Sequence, residues 1–257
     1  MPELPDVEIF RRYSRKVLNK KIKKISINVS SLLDVSKSTL HRHLGGNKFV
    51  GTDRIGKYLL LEISDGYFLV LHFGMTGDIS YYQKKKPEYI VLKLLLSNNR
   101  ILAVTSKRKL GSISIVKSKK ELKKDKNLGP DFLSLSKQDF VEIMEKSRGY
   151  VKTKLMDQSK ISGIGNIYSD EALYSTGLYP KKKIETISQE NIRKLYSNLL
   201  RVIRVAIRNG ADPKKMPSSY LLNHRKPGEK CGKCGGEITK IKVGGRSSYF
   251  CKKHQKR

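Results

Sequence analysis

The sequence predicts an α+β fold in three parts: an amino-terminal β-sandwich preceded by one helix, a helical domain, and a zinc-binding β-hairpin at the carboxyl end. Three observations predict this fold. Short β-branched and aromatic runs separated by turn residues fill the first part, apolar residues recur at helical spacing in the second, and two pairs of metal-ligating residues close the chain. We place the three domains at residues 1–128, 129–222 and 223–257.

The charge of the chain predicts its partner. The 257 residues include 54 Lys and Arg against 23 Asp and Glu, a formal net charge of +31 spread along the whole length. A polyanion, most simply a nucleic acid, fits this excess through phosphate contacts. A lysine-rich composition that only gives solvated faces is the alternative, and it fits runs such as Lys84–Lys86.

The same composition excludes other classes of protein. No run of 18 or more apolar residues and no amino-terminal charged-then-apolar signal is present. We therefore expect a soluble intracellular monomer without membrane contact, in the cytoplasm or nucleoid of a prokaryote or the nucleus of a eukaryote. Three cysteines within the last 27 residues are too few and too clustered for a secreted disulfide framework.

The first predicted element is a helix from Asp6 to about Leu18, with apolar residues at roughly helical spacing. Just ahead of it, removal of Met1 would make Pro2 the amino terminus. Its secondary amine could then attack an aldehyde-level carbon, and Glu3 could donate or accept the proton. The alternative is that the Pro-Glu pair merely opens the helix.

A series of strands follows the helix. The turns Asp65-Gly66 and Asn98-Asn99 separate apolar runs and predict hairpins in a β-sandwich or barrel. The charged segment Lys117–Lys126 and the pair Gly129-Pro130 mark the end of this domain. The predicted strands are Tyr58–Ile63, Tyr67–Phe73, Tyr89–Leu96, Arg100–Val104 and Ser112–Val116.

In the second domain, apolar residues recur with the period of an α-helix. Gly163 and Gly165 precede a helix beginning near Asn166 and predict a turn whose free N–H groups suit a phosphate. The segment Asn209–Pro217 is predicted to be a loop because it contains one glycine and two prolines. The helical stripes are Phe140, Ile143 and Met144, then Ile192, Leu195, Leu199, Ile203 and Ile207.

The carboxyl end predicts a zinc site. Two pairs of metal-ligating residues, a Cys-Cys pair and a Cys-His pair, each have two residues between their members. The 16 residues between the pairs contain alternating apolar positions and the turn Gly244-Gly245. Three thiolates and one imidazole fill a tetrahedral Zn²⁺ and leave no position for water, so the metal is structural. His224 is the alternative fourth ligand, and Arg246 past the turn could reach a phosphate. The four predicted ligands are Cys231, Cys234, Cys251 and His254.

Five ordered motifs resemble the formamidopyrimidine-DNA glycosylase and endonuclease VIII family, over essentially the full chain. They are MPELPDVE at the start, Gly56–Leu60, His72–Gly77, the run from Leu155 through Gly163–Tyr168 to Glu171, and the zinc hairpin. The resemblance implies that the glycine turn belongs to a helix–two-turn–helix element that binds the DNA backbone. It also implies that Pro2 attacks C1′ of a damaged nucleotide and that Glu3 handles the proton on the ring oxygen.

The resemblance assigns further residues. Lys57 is expected to contact the phosphate beside the lesion, and Met75 to fill the gap left by an everted base, although composition alone equally allows a buried core methionine. Arg108 and Leu110 would probe the orphaned base. The DNA contacts are completed by His72, Lys152, Asn166 and Arg246. Asn166 has the alternative role of a plain helix cap.

Three residues depart from the family pattern. Asp6 replaces the usual glutamate, Leu110 replaces the usual phenylalanine, and His254 replaces the usual fourth cysteine.

We predict a base-excision-repair glycosylase with lyase activity on damaged double-stranded DNA, with 8-oxoguanine and formamidopyrimidine lesions slightly favoured. The alternatives are the same chemistry on oxidised pyrimidines, a non-catalytic zinc-containing DNA-binding protein, and a ribosome-associated zinc protein.

Overall fold

The structure, a computed structural model, describes residues 2–256. The described chain divides into two compact units. One contains Pro2 and residues 6–126, and the other contains Glu3–Pro5 and residues 127–256. No helix in the described range is long and apolar enough to cross a membrane.

The first unit is built on two four-stranded antiparallel sheets, which confirms the predicted sheet architecture. One sheet has the strand order β1-β6-β7-β5 and the other has the order β2-β3-β4-β8. Its strands are β1 (Ile22–Ile27), β2 (Phe49–Ile55), β3 (Tyr58–Ile63), β4 (Phe68–His72), β5 (Gly77–Tyr82), β6 (Ile90–Leu96), β7 (Ile101–Ser106) and β8 (Ser112–Val116). Its helices are α1 (Leu4–Ser14), of which residues 6–14 belong to this unit, α2 (Lys37–Leu44) and α3 (Lys119–Asp125).

Apolar side chains from both sheets and from α1 form one core in this unit, among them Val7, Leu61 and Leu94. Both predicted hairpin turns are confirmed. Gly66 has φ +89° between β3 and β4, and Asn99 has φ +59° between β6 and β7, a backbone region that glycine and asparagine reach most easily.

The predicted first helix is shifted toward the amino terminus. It begins at Leu4 rather than Asp6 and ends at Ser14, after which Arg15–Val17 form a short 3-10 turn. The N–H of Leu4 donates to the carbonyl of Gly163 at 3.2 Å. This bond helps to explain why the helix begins two residues earlier, because it satisfies a donor that the first turn of a helix leaves unpaired.

The second unit is helical and ends in a hairpin. Its helices are α4 (Lys137–Glu145), α5 (Val151–Leu155), α6 (Asn166–Thr176) and α7 (Gln189–Arg208), and its strands are β9 (Ile238–Val243) and β10 (Arg246–Cys251). The predicted apolar stripe of α7 is buried along its whole length. The predicted loop Asn209–Pro217 contains a 3-10 turn at Pro213–Lys215.

Candidate active site and zinc centre

The carboxylate of Glu3 lies at the amino-terminal end of α6. Glu3 is fully buried, and its two oxygens accept hydrogen bonds from the backbone N–H groups of Ile167 at 2.9 Å and Tyr168 at 3.3 Å. These are donors that the first turn of a helix cannot satisfy internally, and the positive end of the helix dipole favours an anion there. The sequence order Pro2-Glu3 thus places an oriented carboxyl group one residue after the predicted nucleophile.

Two glycines make room for this carboxylate. A methyl group at Gly163, where φ is +109°, would collide with the side chain of Leu4, and one at Gly165 would overlap the carboxyl group of Glu3. The N–H of Gly163 donates to the side-chain oxygen of Gln158 at 2.9 Å, so in this turn that group is not free for a phosphate as predicted, and the next donors along, in Ile167 and Tyr168, are occupied by Glu3. The glycines serve the buried carboxylate instead.

Asn166 is the first residue of α6, and Gly165 is the N-cap, so the simple capping role is wrong. The side-chain oxygen of Asn166 is buried and has no hydrogen-bond partner among the described residues. A buried oxygen without a donor is costly, so this amide has hydrogen-bonding capacity that the fold itself leaves unused. Its contact with the DNA backbone stays a prediction.

Lys152 lies in a different environment from the one expected of a phosphate contact. Its side chain is fully buried, and its Nζ is 2.6 Å from Asp170 and 3.2 Å from the carbonyl of Ser247. Burial lowers the pKa of Lys152, and the neighbouring Asp170 opposes that shift. A phosphate cannot reach this ammonium group in the observed arrangement. We therefore correct its assignment from a DNA contact to a buried ion pair.

Asp170 is the centre of that ion pair, and no local sequence pattern predicts this role. It is fully buried on α6 and also accepts hydrogen bonds from the hydroxyl of Ser248 at 2.6 Å, from Arg225 at 2.6 Å and from the backbone of Tyr249 at 3.2 Å. One carboxylate thereby joins α5, α6 and β10.

We expect Asp170→Asn to destabilise the protein by about 3–5 kcal/mol, because it leaves the ammonium group of Lys152 buried without its counter-charge. Urea unfolding of the zinc-loaded protein measures this loss. Asp139→Asn, on the exposed first turn of α4, is the matched control and should cost less than about 1 kcal/mol. Equal losses in the two variants would contradict the assignment of Asp170 as the centre of the network.

In the first unit, Lys57 lies in the turn between β2 and β3. Arg54, itself buried, donates to the carbonyl of Gly56 at 2.8 Å and lies 3.4 Å from the carboxylate of Glu8. These bonds fix the backbone of the turn that carries Lys57.

The pKa of His72 is lowered to about 4, first by burial and then by the charges of Lys57 and Lys126. His72 is therefore neutral at pH 7 in the protein without DNA, and its contact with DNA stays a prediction.

Met75, Arg108 and Leu110 come together in the same unit. Met75 is 43% exposed and Leu110 40% exposed. The guanidinium of Arg108 donates to the sulfur of Met75 at 3.1 Å, and its backbone N–H donates to Thr76 at 3.0 Å. The alternative of a buried core methionine is therefore wrong. Met75 and Arg108 are in contact, and Leu110 is exposed two residues after Arg108, so all three side chains are available to enter a base stack.

The four predicted metal ligands converge in the second unit. Their ligand atoms all lie within 4.8 Å of one another, with 3.5 Å between the sulfurs of Cys234 and Cys251 and 3.4 Å from Cys234 to Nδ1 of His254. A tetrahedral Zn²⁺ with sulfur ligands at 2.3 Å would place them about 3.8 Å apart, so a small expansion accommodates the ion. His224 is not part of the cluster, because its Nε2 contacts the carbonyl of Ser218 at 2.7 Å.

The two remaining predicted residues are Arg246 and Pro2. Arg246 begins β10 directly after the Gly244-Gly245 turn, and its side chain is exposed. Pro2 is partly buried. Met1, whose removal the nucleophile requires, lies outside the described residues.

Comparison with known proteins accounts for nearly the whole chain. Residues 1–113 match the formamidopyrimidine-DNA glycosylase N-terminal domain, residues 128–218 the formamidopyrimidine-DNA glycosylase H2TH domain, and residues 228–255 the zinc finger found in FPG and IleRS. The zinc-finger match and the converging ligands confirm the predicted structural zinc site. The division into three domains at the predicted boundaries stays a prediction.

Among the relatives, the formamidopyrimidine-DNA glycosylase of Desulfitobacterium hafniense is 31% identical over 271 residues, which covers 98% of each chain. That of Lactococcus lactis is 30% identical over 269 residues with the same coverage. The solved complex between the Lactococcus lactis Fpg and abasic-site DNA has a TM-score of 0.89 at 28% identity over 100% of both chains. A structure of MutM with carbocyclic 8-oxo-G DNA has a TM-score of 0.89 at 30% identity over 100% of both chains. This chain belongs to the formamidopyrimidine-DNA glycosylase family.

Proposed function

We infer that this protein is a base-excision-repair DNA glycosylase with abasic-site lyase activity, acting on damaged duplex DNA and favouring 8-oxoguanine and formamidopyrimidine lesions. The relatives named above are formamidopyrimidine-DNA glycosylases, and the similar solved structures hold DNA with an abasic site or an 8-oxoguanine analogue. Because its substrate is genomic DNA, the enzyme works inside the cell.

One observation carries the chemical part of this proposal. The carboxylate of Glu3 is buried and held by two backbone N–H groups of α6, immediately after Pro2 in the chain. A plain helix-opening Pro-Glu pair would leave its carboxylate in solvent on its own helix. Here a separate helix and two glycines orient it, which suits a group that must deliver and recover a proton at one position.

The proposed reaction begins with the unprotonated amine of Pro2. Its lone pair attacks C1′, and the bond from C1′ to the base breaks, so that the base leaves with the electron pair and takes up a proton. The attack leaves a proton on the nitrogen of Pro2. The carboxylate of Glu3 takes up this proton and passes it to the ring oxygen O4′ as the sugar opens, which leaves an iminium ion joining Pro2 to C1′. Loss of a C2′ proton then expels the 3′ phosphate, and a further elimination releases the 5′ phosphate.

Other residues bind and shape the DNA in this proposal. Lys57 pairs with a phosphate, while Met75, Arg108 and Leu110 occupy the space of the everted nucleotide, which costs a few kcal/mol to unstack. Asn166 and Arg246 contact the backbone. The zinc hairpin stabilises the unit that carries them, and its four protein ligands leave the metal no catalytic position.

Borohydride trapping tests the proposal. Protein whose loss of Met1 has been verified by intact mass is mixed with duplexes that carry 8-oxoguanine, an oxidised pyrimidine, an abasic site or no lesion, and the iminium ion is reduced to a stable bond. We expect a covalent band with the abasic duplex and with 8-oxoguanine, weaker with the oxidised pyrimidine and none with undamaged DNA.

Two other outcomes would change the conclusion. Normal DNA binding without a band on any duplex would indicate a non-catalytic DNA-binding protein. A stronger band with the oxidised pyrimidine would contradict the purine preference and leave the lyase chemistry intact.

A further inference from the structure

Tyr174 on α6 touches two of the four zinc ligands. Its side chain is fully buried, and its hydroxyl lies 2.9 Å from the sulfur of Cys231. Its ring packs edge-on against His254, with 4.7 Å between the ring centroids. A metal-bound cysteine is a thiolate and can only accept, so the tyrosine hydroxyl is the donor in this contact.

The backbone of the same residue determines how His254 faces the metal. Nε2 of His254 lies 3.1 Å from the carbonyl oxygen of Tyr174, whereas Nδ1 lies 3.5 Å from the sulfur of Cys231. A carbonyl oxygen can only accept, so Nε2 must carry the hydrogen. Nδ1 then keeps its lone pair for the zinc ion.

We propose that Tyr174 controls how tightly this protein holds its zinc, through its hydroxyl on Cys231 and its carbonyl on His254. Three thiolates and a neutral imidazole give the zinc centre a net charge of about −1. A hydroxyl donor withdraws part of that charge from Cys231 in a buried contact. The carbonyl removes the competing tautomer, in which His254 could not ligate through Nδ1.

This arrangement links the zinc centre to the candidate active site within one helix. The first turn of α6 holds the carboxylate of Glu3 through Ile167 and Tyr168, and its last turns hold the zinc ligands through Tyr174. The histidine that stands for a fourth cysteine is the ligand that gains from the carbonyl of Tyr174. Retention of zinc therefore depends on α6 as well as on the hairpin.

The rate of zinc release to a chromogenic chelator tests the proposal. Tyr174→Phe removes the hydroxyl and keeps the ring, and we expect it to release zinc about 10- to 100-fold faster than the unsubstituted protein. Tyr196→Phe is the matched control, because the hydroxyl of Tyr196 is also buried and donates to the carbonyl of Leu135 at 2.8 Å, outside the zinc centre. Equal release rates in the two variants would overturn the role of the hydroxyl.

The second contact is tested without any substitution. In zinc-loaded protein with 15N-labelled histidine, NMR identifies which ring nitrogen of His254 carries hydrogen. We expect hydrogen on Nε2 and metal on Nδ1, and the reverse arrangement would overturn the role of the carbonyl. This measurement decides the question even if Tyr174→Phe does not fold.

Discussion

Pro2→Gly should reduce borohydride trapping on an abasic duplex by at least about 100-fold while leaving DNA affinity nearly unchanged. Glycine after Met1 removal still offers an amine, but a primary one on a backbone without the constraint of the proline ring. The imine formed by a primary amine must also be protonated to match the iminium ion that a secondary amine forms directly. The amine is therefore both less well placed and less effective in activating the sugar.

Pro5→Ala is the matched control for this prediction. Pro5 is also near the amino terminus, in the first turn of α1, but its nitrogen is in a peptide bond. We expect this variant to trap normally. Equal loss of trapping and of DNA affinity in a folded Pro2→Gly variant would contradict the nucleophile assignment, because it would show that Pro2 acts in DNA binding and not in the covalent step.

Gly165→Ala should lower the rate of base excision by about 100-fold or more at saturating DNA. The backbone of Gly165 has φ −124° and ψ −161°, which alanine can adopt, so the added methyl group acts through its overlap with the carboxyl group of Glu3. Displacing this carboxylate removes the proton donor from its position and breaks its two bonds to α6. Single-turnover kinetics on an 8-oxoguanine duplex measures the effect.

Gly210→Ala controls for the loss of a glycine in the same unit. A methyl group there would meet no atom within 4 Å, although its φ of +69° adds some strain. We expect Gly210→Ala to excise the base at the normal rate. If Gly165→Ala also excised the base at the normal rate, the carboxylate of Glu3 would not need the position in which α6 holds it.

The zinc ligands and the hairpin turns could be predicted from the sequence because their signals are local. Cys231 and Cys234 lie within one turn of chain, and so do Cys251 and His254, and two-residue gaps of this kind suit a tetrahedral metal. The Gly66 turn likewise reflects the backbone preference of a single residue.

Long-range partners could not be predicted in this way. Asp170 lies 55 residues from Arg225 and 78 from Ser248. Nothing near Lys152 in the sequence indicates that a carboxylate neutralises it, so a basic residue in a DNA-binding domain is most simply assigned to a phosphate. The same holds for Glu3, whose partners are contributed by α6 more than 160 residues later.

The strands that sequence analysis missed, β1, β2 and β5, are all edge strands of their sheets. Edge strands carry charged and polar residues that discourage pairing with other chains, and this weakens the alternating apolar pattern. β1 has the sequence IKKISI and β5 the sequence GDISYY. Neither strand has three apolar residues at successive alternate positions. All four central strands, β3, β4, β6 and β7, are in contrast predicted from their apolar runs.

The site of attachment decides whether the amine of Pro2 forms the covalent bond to DNA. The protein is trapped on an abasic duplex with borohydride and digested, and the peptide that carries the sugar is sequenced by mass spectrometry. We expect the modification on the nitrogen of Pro2 in a peptide that lacks Met1. A sugar attached to Lys57 or to any other lysine would contradict it.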